Sequence, residues 1–454
     1  MVALTKFVME GFMLKITFMG AGSTVFVKNV IGDCMCTESL RDAEFALYDI
    51  DEQRLNESKM LIDSLNKNIN ENRAVIKAYL GVKNRKSALS DANFVVNAIQ
   101  VGGYDPCTII DFEIPKRFGI RQTIADTLGI GGIMRALRTI PVMKDFAEEM
   151  EEVCKNAIFL NYTNPMSMLS GYMQRYSNIQ TIGLCHSVQV CSSGLLNKLD
   201  MSDKLEGRVE LIAGINHMAW LLDIKDNAGN DLYPEIRKRA NIKNSTQKHN
   251  DMVRFEYIKH LGYYCTESSE HNAEYNPWFI KPGYPELIDK FNIPLDEYPR
   301  RCIKQIENWA AQKNELINDG KVSHTRSSEY ASYIMESVVT NKPYKIGGNV
   351  INHGLITNLP DDACVELPCM IDGNGVNPCY VGKLPVQLAA MNMTNINVHL
   401  MTIQAAVTKD IKDIYRAVML EPRCSAILSI DDIVKMVDEL INAHQSVGFM
   451  TEYK

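Results

Sequence analysis

The sequence predicts an α/β protein in two closely joined units, a doubly wound parallel sheet over residues 13–205 and an α+β unit over 206–454. Three observations predict it. Short β-rich runs alternate with helical patterns through the first half, which is the signature of βαβ units. A glycine turn, Gly20-Ala-Gly-Ser-Thr24, follows the first of those runs and opens a helical pattern. From Arg208 the rhythm changes to one long β-like run ending at Ile224, then a polar stretch, then helix-rich segments.

The strands expected in the first half are Lys15–Met19, 44–48, 94–99, 157–161 and 181–184, with helices over 53–70 and 139–155 between them. Residues 225–251 read as surface loops with an irregular helix. A β-like insert spans 344–372, and helices run from Leu384 to the end. No internal repeat of fixed period occurs.

A chain of 454 residues with 46% hydrophobic and 23% charged residues has the composition of an ordinary globular protein. The formal net charge of -7 argues against nucleic acid or an anionic membrane surface as a partner. No apolar run reaches the ~18 residues that a membrane-spanning helix needs. The first twelve residues lack a secretory signal's long apolar core, so folding is expected to start at Met13. Twelve scattered cysteines without such a signal point to cytoplasmic thiols rather than disulfides.

In the glycine turn, Gly20 permits the sharp bend and Gly22 lets a pyrophosphate approach the backbone at the helix N-terminus. Ser23 and Thr24 open the helix and complete the phosphate end of the cofactor-binding candidates. Val25 stands where the dinucleotide fingerprint has its third glycine. Asp49, at the end of the next run, can accept hydrogen bonds from ribose hydroxyls and repel a 2′-phosphate, which favours NAD over NADP. Gly102 and Gly103 let the chain turn close to a nucleotide after the run 94–99. The first unit is therefore expected to be a Rossmann-like NAD-binding domain, with the second a substrate and oligomerisation domain of the lactate/malate dehydrogenase kind.

Ligands of such sheets gather beyond the carboxyl ends of the strands. There the sequence places Asn164, suited either to a sugar hydroxyl or nicotinamide carboxamide or to a turn before Pro165. It also places Cys185 and His186 after one run, and Asn216 and His217 after another. Cys185 and His217 are two potential metal ligands that would leave open positions for substrate, as catalytic divalent ions require. Each also reads as an ordinary core residue. A Cys185–His186 nucleophilic pair is disfavoured, because adjacent residues on a strand point to opposite faces. The segment 123–141 combines Asp126, a run of glycines and the arginines Arg135 and Arg138; it reads as a loop over a polar site, with Arg138 a substrate-binding candidate. The segment 266–279 offers Glu267, Glu270, His271, Glu274 and Tyr275, either as a functional cluster or as a solvated helix face.

In their order, "ITFMGAGST", "ALYDID", "GGYDPCT", "TIADTLGIGGIMRALRTIP", "NYTNPMSM", "GLCHSVQ", "AGINHMA" and "TESSEHNAEYNPWFIKPG" resemble glycoside hydrolase family 4, and within it the branch of bacterial α-galactosidases acting on melibiose. The similarity runs over essentially the whole chain from Met13. It implies NAD⁺ as a tightly held cofactor, Mn²⁺ carried by Cys185 and His217, and a substrate-binding Asn164. It implies hydrolysis by hydride transfer from C3 of the glycone, deprotonation at C2, elimination of the C1–O bond, water addition and return of the hydride. This family is an exception to the two-carboxylate rule for glycosidases. By the same analogy His186 is the acid, and Tyr275 is the foremost candidate for the C2 base, followed by Glu270 and His271. Asp126 matches a carboxylate that raises the basicity of the base. Members acting on 6-phosphosugars carry Asp or Asn at the acid position, so His186 implies a non-phosphorylated hexoside. Relatives read Gly-Pro-Gly-Gly where this chain has Gly129-Ile130-Gly131-Gly132. The resemblance also implies a small-molecule α-galactoside as partner and a cytoplasmic homo-oligomer, dimer or tetramer.

The rival readings are an NAD-dependent 2-hydroxyacid dehydrogenase, an α-glucosidase or α-galacturonidase of the same family, and a non-catalytic NAD-binding sensor.

Overall fold

The computed structural model describes residues 13–318 and 322–453; the expected N-terminal extension lies outside them. The first-half strands are β1 (Lys15–Met19), β2 (Glu44–Asp49), β3 (Val75–Leu80), β4 (Phe94–Asn97), β5 (Ile158–Asn161) and β6 (Thr181–Gly183). The second half contributes β7 (Val209–Ile215), β8 (Met218–Lys225), β9 (Tyr264–Cys265), β10 (Tyr344–Ile351), β11 (Cys364–Asp372) and β12 (Gly375–Pro378). All twelve belong to one sheet in the order β3-β2-β1-β4-β5-β6-β10-β11-β7-β8-β9, with β12 paired to β11. β1 to β6 are parallel neighbours in the doubly wound order 3-2-1-4-5-6, and the pairs beyond β6 are antiparallel.

The parallel strands are buried on both faces, so they read as continuous apolar runs. In β1, Phe18 packs into the cluster that holds Val27, Val30 and Ile31 of the helix Thr24–Met35. Its neighbour Met19 packs on the opposite side with Met134, Leu137 and Ile140 of the helix Gly129–Val153. Each such side chain contributes about 1.5–3 kcal/mol through burial. β3 escapes the sequence pattern because it is an edge strand with no fully buried residue.

The structure revises two expected elements. Residues 129–138 are not a loop, since the helix begins at Gly129 and carries both arginines on buried turns. Its glycines serve close approach: a Cβ on Gly131 would stand 2.4 Å from the Ala125 carbonyl oxygen, and one on Gly132 2.5 Å from that of Thr127. In the stretch read as loops with an irregular helix, Tyr233–Thr246 is a regular helix. Among the described residues no helix is long and apolar enough to cross a membrane, and all twelve cysteines are unpaired.

The second half is pinned by a buried charge network around Asp251, which accepts from Arg254 Nη2 (2.8 Å), Lys198 Nζ (2.9 Å), Tyr264 Oη (2.6 Å) and Ser269 Oγ (2.8 Å). Burial alone would raise the Asp251 pKa, but Arg254 and Lys198 prevail and hold the carboxyl well below its usual range. A depressed pKa contributes stability that is complete above the unfolded value near ~3.9 and is lost as pH falls toward the folded one. Asp251→Asn should therefore cost about 3–5 kcal/mol by stranding Arg254. Denaturant unfolding should show that loss at neutral pH, with a shallower decline than the parent below about pH 4.

Candidate functional site

At the carboxyl end of β1, Gly20 adopts φ 86°, and a Cβ there would lie 2.9 Å from the backbone of Ala98 and Ile99 after β4. Only glycine allows the two strand ends to come this close. Asp49 anchors the turn, accepting from Gly22 N (2.6 Å) and Asp51 N (3.0 Å). Ser23 is exposed and gives the helix Thr24–Met35 no side-chain cap, so its first N–H groups remain available to an anion. Thr24 turns its hydroxyl inward, 3.4 Å from Gly22 O and 3.0 Å from Ser58 Oγ, while its N–H is the first of the helix. Gly102 and Gly103 both have positive φ (83° and 61°), and a Cβ on Gly102 would meet Cys107 Sγ at 2.3 Å.

Beyond this turn opens a cavity of about 280 Å³ whose lining includes Ser23, Gln100, Arg135, Asn164, Cys185 and His186. Asn161 is committed to the core, bonded to Thr163 O and Ser170 Oγ. Asn164 is different: it reaches the cavity, and its buried Oδ1 has no partner among the described residues, so it does not serve a simple turn. Arg135 donates from Nε to Asn164 O at 3.1 Å. Arg138, the expected substrate arginine, is elsewhere. Its guanidinium is buried against Asp111 (2.7 Å) and Val101 O (3.0 Å), because three residues along a helix carry it past the cavity edge.

The second cluster adjoins Cys185. β6 ends at Gly183, so Cys185 sits in an extended cap position (φ -134°, ψ 135°) and His186 is the first residue of the helix His186–Lys198. Strand alternation is therefore not what separates these two side chains. His217 occupies the two-residue turn between β7 and β8 with φ 63°, and Glu267 follows β9 with φ 64°. Left-handed backbone at a non-glycine residue costs about 1–2 kcal/mol. The turns after β7 and β9 carry that cost while bringing two polar side chains to one point.

Cys185 Sγ, a His217 ring nitrogen and a Glu267 carboxylate oxygen all lie within 4.8 Å of one another. The sequence offered only the first two as candidate ligands; Glu267 is a third group able to donate there. Asp126, His217 and His271 form an overlapping group of the same size. His217 Nδ1 is 2.8 Å from Tyr275 Oη and its Nε2 is 3.4 Å from Glu267 Oε2. His271 lies 3.4 Å from Glu267 Oε1 and 3.9 Å from Asp126 Oδ1. Burial disfavours a charged His217, but Glu267 and then Cys185 outweigh it and raise the imidazole to about 10. Burial pushes Glu267 up, yet His271 and His217 pull it down to about 2. Tyr275, 1% exposed, is driven well above 10 by burial. A thiol, an imidazole and a carboxylate in one corner suit a divalent ion of borderline softness, with positions left for substrate oxygens.

Glu270 is not brought to the cluster. It lies one residue from His271 on the short helix Ser269–Glu274, about 100° around its axis, and its carboxylate pairs with Arg301. Glu274 carries the supporting role: buried, it accepts from the N–H groups of Thr123 (2.7 Å) and Ala125 (2.8 Å), which fixes the loop presenting Asp126. Glu366 supports the other side. Its Oε1 accepts from Asn216 Nδ2 (3.2 Å) and Asn349 Nδ2 (3.0 Å), and Asn349 also reaches Gly183 O (3.2 Å). Burial raises Glu366 to about 7 against those two amides. A lone glutamate in the apolar strand "CVELPCMID" is the one signal that could have identified it.

Comparison with known proteins covers the same stretches. The family model described as family 4 glycosyl hydrolase matches residues 15–201, and that of the family 4 glycosyl hydrolase C-terminal domain matches 212–424. An α-galactosidase of Bacillus subtilis (strain 168) is 58% identical over 97% of this chain and 100% of its own length. An α-galactosidase of Rhizobium meliloti (strain 1021) is 33% identical over 94% of this chain and 88% of its own. A crystal structure of a putative glucosidase from Bacillus subtilis shares the fold with a TM-score of 0.84, at 24% identity over 94% of this chain and 99% of that one. A 6-phospho-α-glucosidase from gut microorganisms, solved with NAD and Mn²⁺, shares it with a TM-score of 0.78 at 19% identity, covering 96% and 98%. With both halves of the chain matched, this protein belongs to glycosyl hydrolase family 4.

Proposed function

We propose that the protein hydrolyses α-galactosides with a non-phosphorylated glycone, with NAD⁺ and Mn²⁺ as cofactors. The observation that carries the reading is the joining of two half-sites at the carboxyl ends of one sheet. The nucleotide turn of Gly20 and Gly22 opens into the cavity that also reaches Asn164, Cys185 and His186. The high identity to α-galactosidases favours galactose over the glucose and galacturonic acid of more distant relatives, 25–27% identical. Residues 13–205 hold the nucleotide in this reading, and residues 206–454 supply His217, Glu267, His271 and Tyr275. The same reading gives a cytoplasmic homo-oligomer whose partner is the sugar.

NAD⁺ along the glycine turn supplies a reversible hydride acceptor for C3, and Mn²⁺ on Cys185 and His217, with Glu267 as a further donor, supplies the charge that makes C2–H removable. The chain's own groups do the rest. Asn164 offers an unpaired buried carbonyl oxygen to a sugar hydroxyl. Tyr275 takes the C2 proton; its phenol lies beside His217, with Asp126, His271 and Glu267 around it as the charges that govern its basicity. His186, at the cavity lip, gives a proton to the departing glycosidic oxygen. The absence of a net redox change separates this reading from a hydroxyacid dehydrogenase.

Cys185→Ser should lose Mn²⁺ binding by titration calorimetry and reduce kcat/KM by at least ~10²-fold, with NAD⁺ affinity kept. Retained turnover would remove the metal from Cys185. Gly20→Ala should weaken NAD⁺ binding, read by fluorescence titration, because its Cβ would meet the backbone of Ala98 at 2.9 Å. Hydrolysis in D₂O should leave deuterium at C2 of the released galactose by NMR. Protium at that carbon would rule out elimination.

A further inference from the structure

His186 does not stand alone at the cavity. Its Nε2 is hydrogen-bonded to Glu329 Oε2, and Tyr162 Oη donates to Glu329 Oε1 at 2.7 Å. Glu329 is 7% exposed and is itself fixed, since its carboxylate accepts from Tyr330 N (2.9 Å) at the start of the helix Tyr330–Thr340 and its own N–H donates to Ser327 Oγ (3.1 Å). Ser327 is clamped in turn onto Asp33, fully buried on the nucleotide-side helix, through Oγ (2.6 Å) and N (2.6 Å), beside His324 (2.7 Å). The His186 side chain is still 55% exposed, and among the described residues its Nδ1 takes no protein hydrogen bond.

We propose that Glu329 is the positioning residue of the acid: it holds Nε2 of His186 and thereby presents Nδ1 to the leaving glycosidic oxygen. The proposal rests on the glycosidase reading above. A histidine whose one nitrogen is committed to a fixed carboxylate keeps a single ring orientation, and the other nitrogen is the one that meets substrate. In the elimination step the electron pair of the broken C2–H bond becomes the C1=C2 bond, and the C1–O pair leaves with the alcohol. That oxygen takes the proton of Nδ1, while Nε2 keeps its own proton, hydrogen-bonded to Glu329. When water adds across C1=C2, its hydroxyl bonds to C1 and its proton returns to Nδ1, while C2 takes a solvent-derived proton from the base, which has exchanged with water in the interval.

Leaving-group dependence reads this role directly. An alkyl leaving group such as the glucose of melibiose needs its proton at departure, whereas 4-nitrophenolate does not. Glu329→Gln keeps the side-chain shape but has one acceptor oxygen, so either His186 Nε2–H, or Tyr162 Oη–H together with Tyr330 N–H, is left without an acceptor. We expect kcat/KM on melibiose to fall by ~10²-fold and on 4-nitrophenyl α-galactoside by less than ~5-fold, with NAD⁺ and Mn²⁺ affinities kept. In a His186→Gln background the same substitution should cost nothing more on melibiose. Should Glu329→Gln not fold, Glu329→Asp, which withdraws the carboxylate from Nε2, is read by the same ratio. Equal losses on both substrates, or additive losses in the double variant, would overturn the proposal. A parent enzyme that cleaves neither substrate would sink the glycosidase reading instead.

Discussion

The geometry of the site depends on one buried carboxylate. Glu366 lies between β6 and β7, two strands that are not paired with each other, and it binds the amides of Asn216 and Asn349, one beside each strand end. Asn349 pairs with Gly183 and Glu366 with Gly214, so each junction in the sheet is a single residue pair. Cys185 follows one junction by two residues and His217 follows the other by three. Their separation is therefore held by buried amide–carboxylate contacts, where each such bond is stronger than at the surface and costlier to lose. That rigidity suits a centre whose donors come from distant parts of the chain.

The strained residues fit the same picture. His217 and Glu267 hold left-handed backbone without being glycine, and Ala125, next to Asp126, does so as well (φ 55°). Glycine or asparagine would hold such backbone at less cost. The fold instead offsets the strain with local grips, those of Glu274 on the loop at 123–125 and of Thr266 Oγ1 on Ala219 N.

Much of the fold was legible in the sequence for a physical reason. Parallel strands buried on both faces are apolar runs, and glycine beside such a run marks a close turn; β1, β2, β4, β5 and β6 all follow that grammar. The failures are equally physical. β3 is half-exposed at an edge, so its residues show little contrast. The helix at Gly129 opens with three glycines, one with positive φ and two used for close packing, which from sequence look like breaks. Motif resemblance proposed the parts of the site, but not which carboxylate faces inward. Glu267 and Glu270 are three residues apart in one acidic run, and only the turn after β9 decides that the first meets His217 and the second meets Arg301. Glu329 could not have been found at all, since its partner is 143 residues away and nothing in "SSEY" announces it.

Spatial and temporal order also diverge in this sheet. The outer edge of β6 is covered by β10, and the bond from Asn349 to Gly183 spans 166 residues of chain. A ribosome adding ~5–20 residues per second needs roughly 10–30 s to deliver that cover after Gly183 has emerged. During that interval the nascent nucleotide-binding half presents an open parallel edge, the kind of surface that recruits other strands. β6 is only three residues long, which limits how much template it offers. The short strand that places Cys185 thus also protects the growing chain from association before its second half arrives.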